Sequence, residues 1–135
     1  MRIVTIGIVF LACLVTGIGC AKELNPRTPA EIQAAIQAER PALETCYAAA
    51  LERNRDLNGE VSIVVFFDAG SSKAKSVHVS SSRIDDPTFK ECVVASLRTL
   101  EIREAANVPV EGYYTLSFIF SDGEPAVLSA PAPGR

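Results

Sequence analysis

Cys46 and Cys92 stand on the apolar faces of two segments that read as helices, and both follow an N-terminal export signal. Two thiols placed this way limit how the helices can be arranged. The compartment of an exported chain is oxidising, and no further ligand lies at metal-binding spacing. The simplest reading is a structural disulfide that staples helix to helix.

Arg2 supplies a minimal positive start, and Ile3 to Val15 is almost wholly apolar but too short for a transmembrane span. Residues 1–19 therefore read as a signal peptide. Gly19-Cys20 closes it as a bacterial lipoprotein signal closes, with a small residue before a cysteine whose thiol receives diacylglycerol. Gly17 stands where such signals usually carry a bulky aliphatic residue, so cleavage after Ala21 remains the competing expectation. Cys13 would leave with the signal. Lipidation at Cys20, followed by Ala21 and not by aspartate, leads us to expect an outer-membrane lipoprotein facing the periplasm. A soluble periplasmic or secreted protein is the alternative.

The chain carries 13 basic against 16 acidic side chains, a formal net charge of −3. No basic cluster of the kind that grips phosphate backbones is present, which argues against a nucleic-acid partner. The acidic balance also disfavours direct attraction to anionic lipid, so membrane contact is expected through the lipid anchor alone. The length left after the signal suits one domain.

Residues 20–27, with Asn25-Pro26, read as a lipidated tether, residues 28–120 as the domain, and residues 121–135 as a disordered Ala/Pro-rich tail. Thr28-Pro29-Ala30-Glu31 has the form of a helix start, with a capping hydroxyl, proline at the first helical position and glutamate three residues on. Pro41 predicts a kink or a restart. Beyond it Leu43, Cys46, Tyr47, Ala50 and Leu51 form an apolar stripe that ends near Asn54. Asp86-Pro87 repeats the cap-then-proline signature, and Phe89, Cys92, Val93, Leu97 and Leu100 make the second stripe.

Glu60 to Asp68 alternates but is apolar on both faces at Val64 and Phe66, which predicts a central or covered strand. Asp68-Ala69-Gly70-Ser71-Ser72 reads as a turn, Lys73 to Ser80 as the returning strand, and Ser80 to Ser82 as loop. Glu101 to Pro109 reads as a polar connection and Val110 to Phe120 as the last strand. The expected fold is α+β in the order α-β-β-α-β, two helices packed on one face of a three-stranded antiparallel sheet.

Cys46-Tyr47 with Ala50-Leu51, Gly59-Glu60-Val61, Asp68-Ala69-Gly70, Val79 to Ser82, Asp86-Pro87, Cys92 and an aromatic final strand together resemble the AgmX/PglI C-terminal domain of myxobacterial envelope proteins, which is similar to the TonB C-terminal fold. The resemblance spans about residues 28 to 120. It implies a TonB C-terminal-like interaction domain of the cell envelope. Two departures stand out: Glu101-Ile102-Arg103 replaces a Phe-Pro pair, and Leu116-Ser117-Phe118 replaces an aromatic-Pro-Phe sequence. Family members often end long proteins that could transmit force, so for this chain a small anchored adaptor is the expectation.

Catalysis finds little support. His78, the one histidine, falls on the polar face of a predicted strand, away from either thiol stripe. Two cysteines and one histidine without short spacing do not make a zinc site, and Asp85-Asp86 is accounted for by helix capping. Ser80 to Ser82 lack a nucleophile-elbow setting. No catalytic residue, metal ligand or cofactor is therefore assigned. Tyr47 is expected in the core, and Tyr113 is divided between core and ligand contact.

The remaining function is interaction with an envelope protein or peptide. With Glu60 to Asp68 in the middle, the last strand becomes a sheet edge that no lysine, charge or proline blocks from Tyr113 to Phe120. Tyr113, Thr115, Ser117 and Ile119 are the expected partner-binding residues. They would recruit an extended peptide, or a second copy to form a homodimer. The alternative is a periplasmic thiol/disulfide redox protein using Cys46 and Cys92, although redox dithiols usually sit two residues apart.

Overall fold

The computed structural model describes residues 22–132. Among them lie three helices and a four-stranded antiparallel sheet: α1 (Thr28–Ala38), α2 (Arg40–Arg53), β1 (Gly59–Phe67), β2 (Ser76–Ser82), α3 (Pro87–Leu97), β3 (Val110–Ser121) and β4 (Glu124–Pro131). The α+β class holds. The three-stranded sheet and the α-β-β-α-β order do not: a strand is added after β3, and the first helical segment is divided.

The division falls at Glu39, and Pro41 lies in the first turn of α2, where its missing N–H has no partner to lose. A restart forms instead of a kink. The start of α1 differs from the expected capping box. Thr28 is buried and makes no cap bond, while the Asn25 side chain accepts from the Arg27 N–H at 3.0 Å and the Asn25 carbonyl accepts from the Thr28 N–H at 3.0 Å. Glu31 turns away from the helix start and accepts from the Glu104 N–H at 3.1 Å. At α3 the expected cap is present: Asp86 extends its carboxylate to the Phe89 N–H at 3.0 Å.

The sheet order is β2-β1-β3-β4. Residues 121–135, expected to be a disordered tail, contain β4, which pairs with β3 from Ser121↔Glu124 to Tyr114↔Pro131. The turn between them is Asp122-Gly123, with φ of 53° and 81°. Both residues are left-handed, as a tight hairpin of the right twist demands, and Asp-Gly is among the pairs that tolerate it. The Pro and Ala content of the following segment hid this signal, although Ala126, Val127 and Leu128 extend as a strand between the prolines.

Lys73 to Lys75 do not belong to β2. Lys73 bridges to Glu101, the Ala74 N–H donates to Leu100, and the Ile102 and Ala106 N–H groups donate to Ser72 and Ser71. The connection from Glu101 to Pro109 is therefore not merely polar: Ile102 and Ala106 turn into the core. Ser80 to Ser82, expected as loop, complete β2, with an irregularity opposite Ser62/Ile63.

All three helices cover the face bearing Val61, Ile63, Val65, Phe67, Tyr114, Leu116, Phe118 and Val127, all buried. At its centre Phe118 meets Phe89 edge-on at 4.8 Å between ring centroids and Tyr47 at 5.4 Å. The Tyr47 hydroxyl donates to the Leu57 carbonyl, which lets a phenol sit in the core without an orphaned polar atom. Cys46 and Cys92 form a disulfide with Cα atoms 5.8 Å apart, joining α2 to α3. The core and the disulfide thus lie within residues 22–132.

Candidate functional site

Antiparallel pairing divides the residues of each strand by the direction of their main-chain groups. Successive residues bond alternately to the neighbours on the two sides. The Ala132 N–H donates to Tyr113 at 3.0 Å, so in β3 the odd-numbered residues bond to β4 and the even-numbered ones to β1. In β1 the even-numbered residues then bond toward β2, in agreement with Lys75 N–H to Phe66 O at 2.7 Å and Arg83 N–H to Glu60 O at 2.9 Å.

This accounting corrects the expected binding edge. Tyr113, Thr115, Ser117 and Ile119 do share one face, but β3 lies between β1 and β4 and is no edge. The Ser117 main chain is directed to Leu128 of β4. A strand cannot add there, because its place is taken by the segment expected to be a tail.

The true edges are β4 and β2, and they differ. On β4 the outward residues are Pro125, Val127, Ser129 and Pro131. The two prolines have no N–H to offer, and the Gln33 amide donates to the Ser129 carbonyl at 2.9 Å. That edge is blunted at three of its positions. On β2 the residue opposite Val64, His78, bonds inward, leaving Val77 and Val79 to direct N–H and C=O outward. No proline or lysine lies within Ser76–Ser82; Lys73 and Lys75, charges of the kind that discourage strand pairing, precede it. Among the described residues no element beyond β2 meets this edge.

The face away from the helices adjoins the β2 edge. His78, Val64 and Tyr113 form one cross-strand row, and Ser76, Phe66 and Glu111 the next. The Phe66 and His78 rings stack at 5.6 Å with 24° between planes. Val64 is only 3% exposed although no helix covers it, because these flanking side chains close over it. Tyr113 is 42% exposed and its hydroxyl donates to Glu111. Further along, Ile119 and Leu128 are exposed on the same face.

The thiol chemistry is confined. Cys46 is buried, Cys92 is half-buried, and the Ser96 hydroxyl lies 3.5 Å from the Cys46 Sγ. Among the described residues no group of three or more His, Cys, Asp or Glu side chains could hold a metal ion. Nor is any helix among them long and apolar enough to cross a membrane. Cys20 and Cys13 lie outside the described residues. Comparison with family models, with curated proteins and with solved structures gives no match to this chain.

Proposed function

We propose that this chain is a noncatalytic envelope lipoprotein, anchored through Cys20 at the outer membrane, whose TonB C-terminal-like domain binds a protein or peptide in the periplasm by strand addition. The observation that carries this reading is the β2 edge, where Val77 and Val79 direct main-chain groups outward that no strand among the described residues meets, beside the Phe66/His78/Tyr113 face. Main-chain bonds to an incoming strand would supply affinity, and the adjoining side chains would select among sequences. The AgmX/PglI resemblance adds an envelope setting and nothing about the partner.

The redox alternative has less in its favour. Cys46 is 3% exposed, so an attacking thiolate reaches it poorly, and the bridge joins helices packed on the main core.

A photo-reactive amino acid placed at His78 or Ser80 in the full chain in cells tests the reading. Adducts are expected from both positions and not from exposed Ala34 on α1. Failure to capture anything at β2 overturns strand addition there. For the anchor, Cys20→Ser should release the chain from the membrane fraction; unchanged fractionation and unchanged palmitate labelling would remove the lipoprotein assignment.

A further inference from the structure

The free edge strand reads the same in both directions about His78: Ser76-Val77-His78-Val79-Ser80. We propose that the strand added to β2 is β2 of a second copy, paired antiparallel about a two-fold axis at His78. This rests on the strand-addition reading and names its partner.

A two-fold interface requires a patch complementary to itself, and a palindromic edge strand is such a patch. Centred on His78, Val77 faces Val79 of the second copy and Val79 faces Val77. Both residues carry their main-chain groups outward, so this register makes use of every outward N–H and C=O of Val77 and Val79. A shift by one residue would set Val77 against His78, whose groups are already directed to Val64. Residues directly opposite share a face, so the helices of both copies lie on one side of the joined sheet. Ser76 then meets Ser80, and no charged pair opposes across the strand. The β4 edge cannot do the same, since its outward prolines interrupt the ladder.

The register also places His78 opposite His78 in a non-hydrogen-bonded pair, where opposing Cα atoms stand about 4.5 Å apart and side chains are closest. Each imidazole is backed by its Phe66 ring. The groups facing His78 from its surroundings are Ser76 and Ser80 on β2, Phe66 and Val64 on β1, and beyond β1 Tyr113 with Glu111. Lys75, before the strand, is paired with Asp68 at 3.3 Å. Glu111 is one strand further away and engaged by Tyr113, so it does not stand between the two imidazoles. Two protonated histidines placed opposite repel. The dimer thus binds fewer protons than two separate chains, and acid releases it.

Sedimentation equilibrium of residues 22–135, which hold the core and the disulfide, tests this at pH 7.5 and pH 5.0. In a dimer that admits only one of the two apposed imidazolium charges, the dissociation constant should rise on the order of tenfold on acidification across this range. His78 is exposed, so replacing it leaves the core intact. His78→Lys should be monomeric at both pH values, and His78→Thr dimeric at both. A monomeric wild-type protein at millimolar concentration overturns self-pairing. A dimer that survives His78→Lys overturns the register, and one indifferent to pH overturns the apposed histidines. If the protein is monomeric while the photo-reactive residue at His78 captures a different protein, strand addition stands and self-pairing fails. If it captures nothing, both fail.

Discussion

Arg53 in the last turn of α2 grips Asp86, the N-cap of α3, with Nη2 2.8 Å and Nε 3.2 Å from the same carboxylate oxygen. The other oxygen of Asp86 accepts from Phe89 N–H. One carboxylate thus ends one helix and begins the next. The Cys46–Cys92 bridge lies further along both helices, at seven residues from Arg53 and six from Asp86, so α2 and α3 are tied at two levels in antiparallel register.

The Phe89 N–H and then the Arg53 guanidinium hold the Asp86 carboxyl below its usual value. A depressed carboxyl contributes stability that is present above its unfolded value and is lost as pH falls through the folded one. Asp86→Ala should cost about 1 kcal/mol at neutral pH through the lost cap, with a further small loss from the ion pair. Asp86→Asn keeps an acceptor for the cap and should flatten the acid limb of the stability curve below about pH 4. Urea unfolding followed by circular dichroism across pH 2 to 7 measures both effects.

The disulfide closes a loop between positions 46 apart. In the chain-entropy account its removal costs on the order of 4 kcal/mol, a large share of a small domain's stability. Replacing Cys46 and Cys92 together with alanine should lower the urea midpoint accordingly. Thiol titration of the unreduced, denatured residues 22–135 should find neither cysteine reactive.

Burial raises the Tyr47 hydroxyl above its ordinary value and pushes Tyr114 up to about 12. Unfolding returns both to about 10, so the unfolded chain ionises first. Stability should be complete below about pH 10 and decline as pH rises through the folded values. Ultraviolet titration should show delayed phenolate formation that disappears in denaturant. Tyr47→Phe should cost roughly 1 kcal/mol, because the Leu57 carbonyl loses its donor.

An interior β3 makes Ser117→Pro disruptive. The substitution removes an N–H directed to Leu128 and sets a ring into a strand paired on both sides. We expect a loss of more than about 2 kcal/mol, seen in the urea midpoint. Deleting residues 122–135 should be at least as damaging, since it uncovers Leu116 and Phe118 along β3. Full stability after that deletion would remove β4 from the fold.

Features that act within a few residues were legible in the sequence. The apolar stripes of α2 and α3, the Asp86-Pro87 cap, the break near Pro41 and the Cys46/Cys92 pair each follow from helical periodicity or from the chemistry of one residue. Alternation also separated Tyr114, Leu116 and Phe118, which are buried, from Thr115, Ser117 and Ile119, but it grouped Phe120 with the first set, where the structure leaves it exposed, and it left Tyr113 undecided. Asp122-Gly123 was visible too, but the prolines after it outweighed the turn signal.

Neighbourhood in the sheet was legible for β1, whose two apolar faces place it between β2 and β3, but not for the strands outside it. A strand's alternating pattern reports which face is buried, because side chains project above and below the sheet. Its hydrogen-bonding groups lie in the plane, and nothing in the pattern says what stands beside them. The approach of β4 to β3, the reach of Gln33 to Ser129 and the pairing of Lys73 with Glu101 all join residues distant along the chain. Only those tertiary contacts closed the edge at Ser117 and left Val77 and Val79 open.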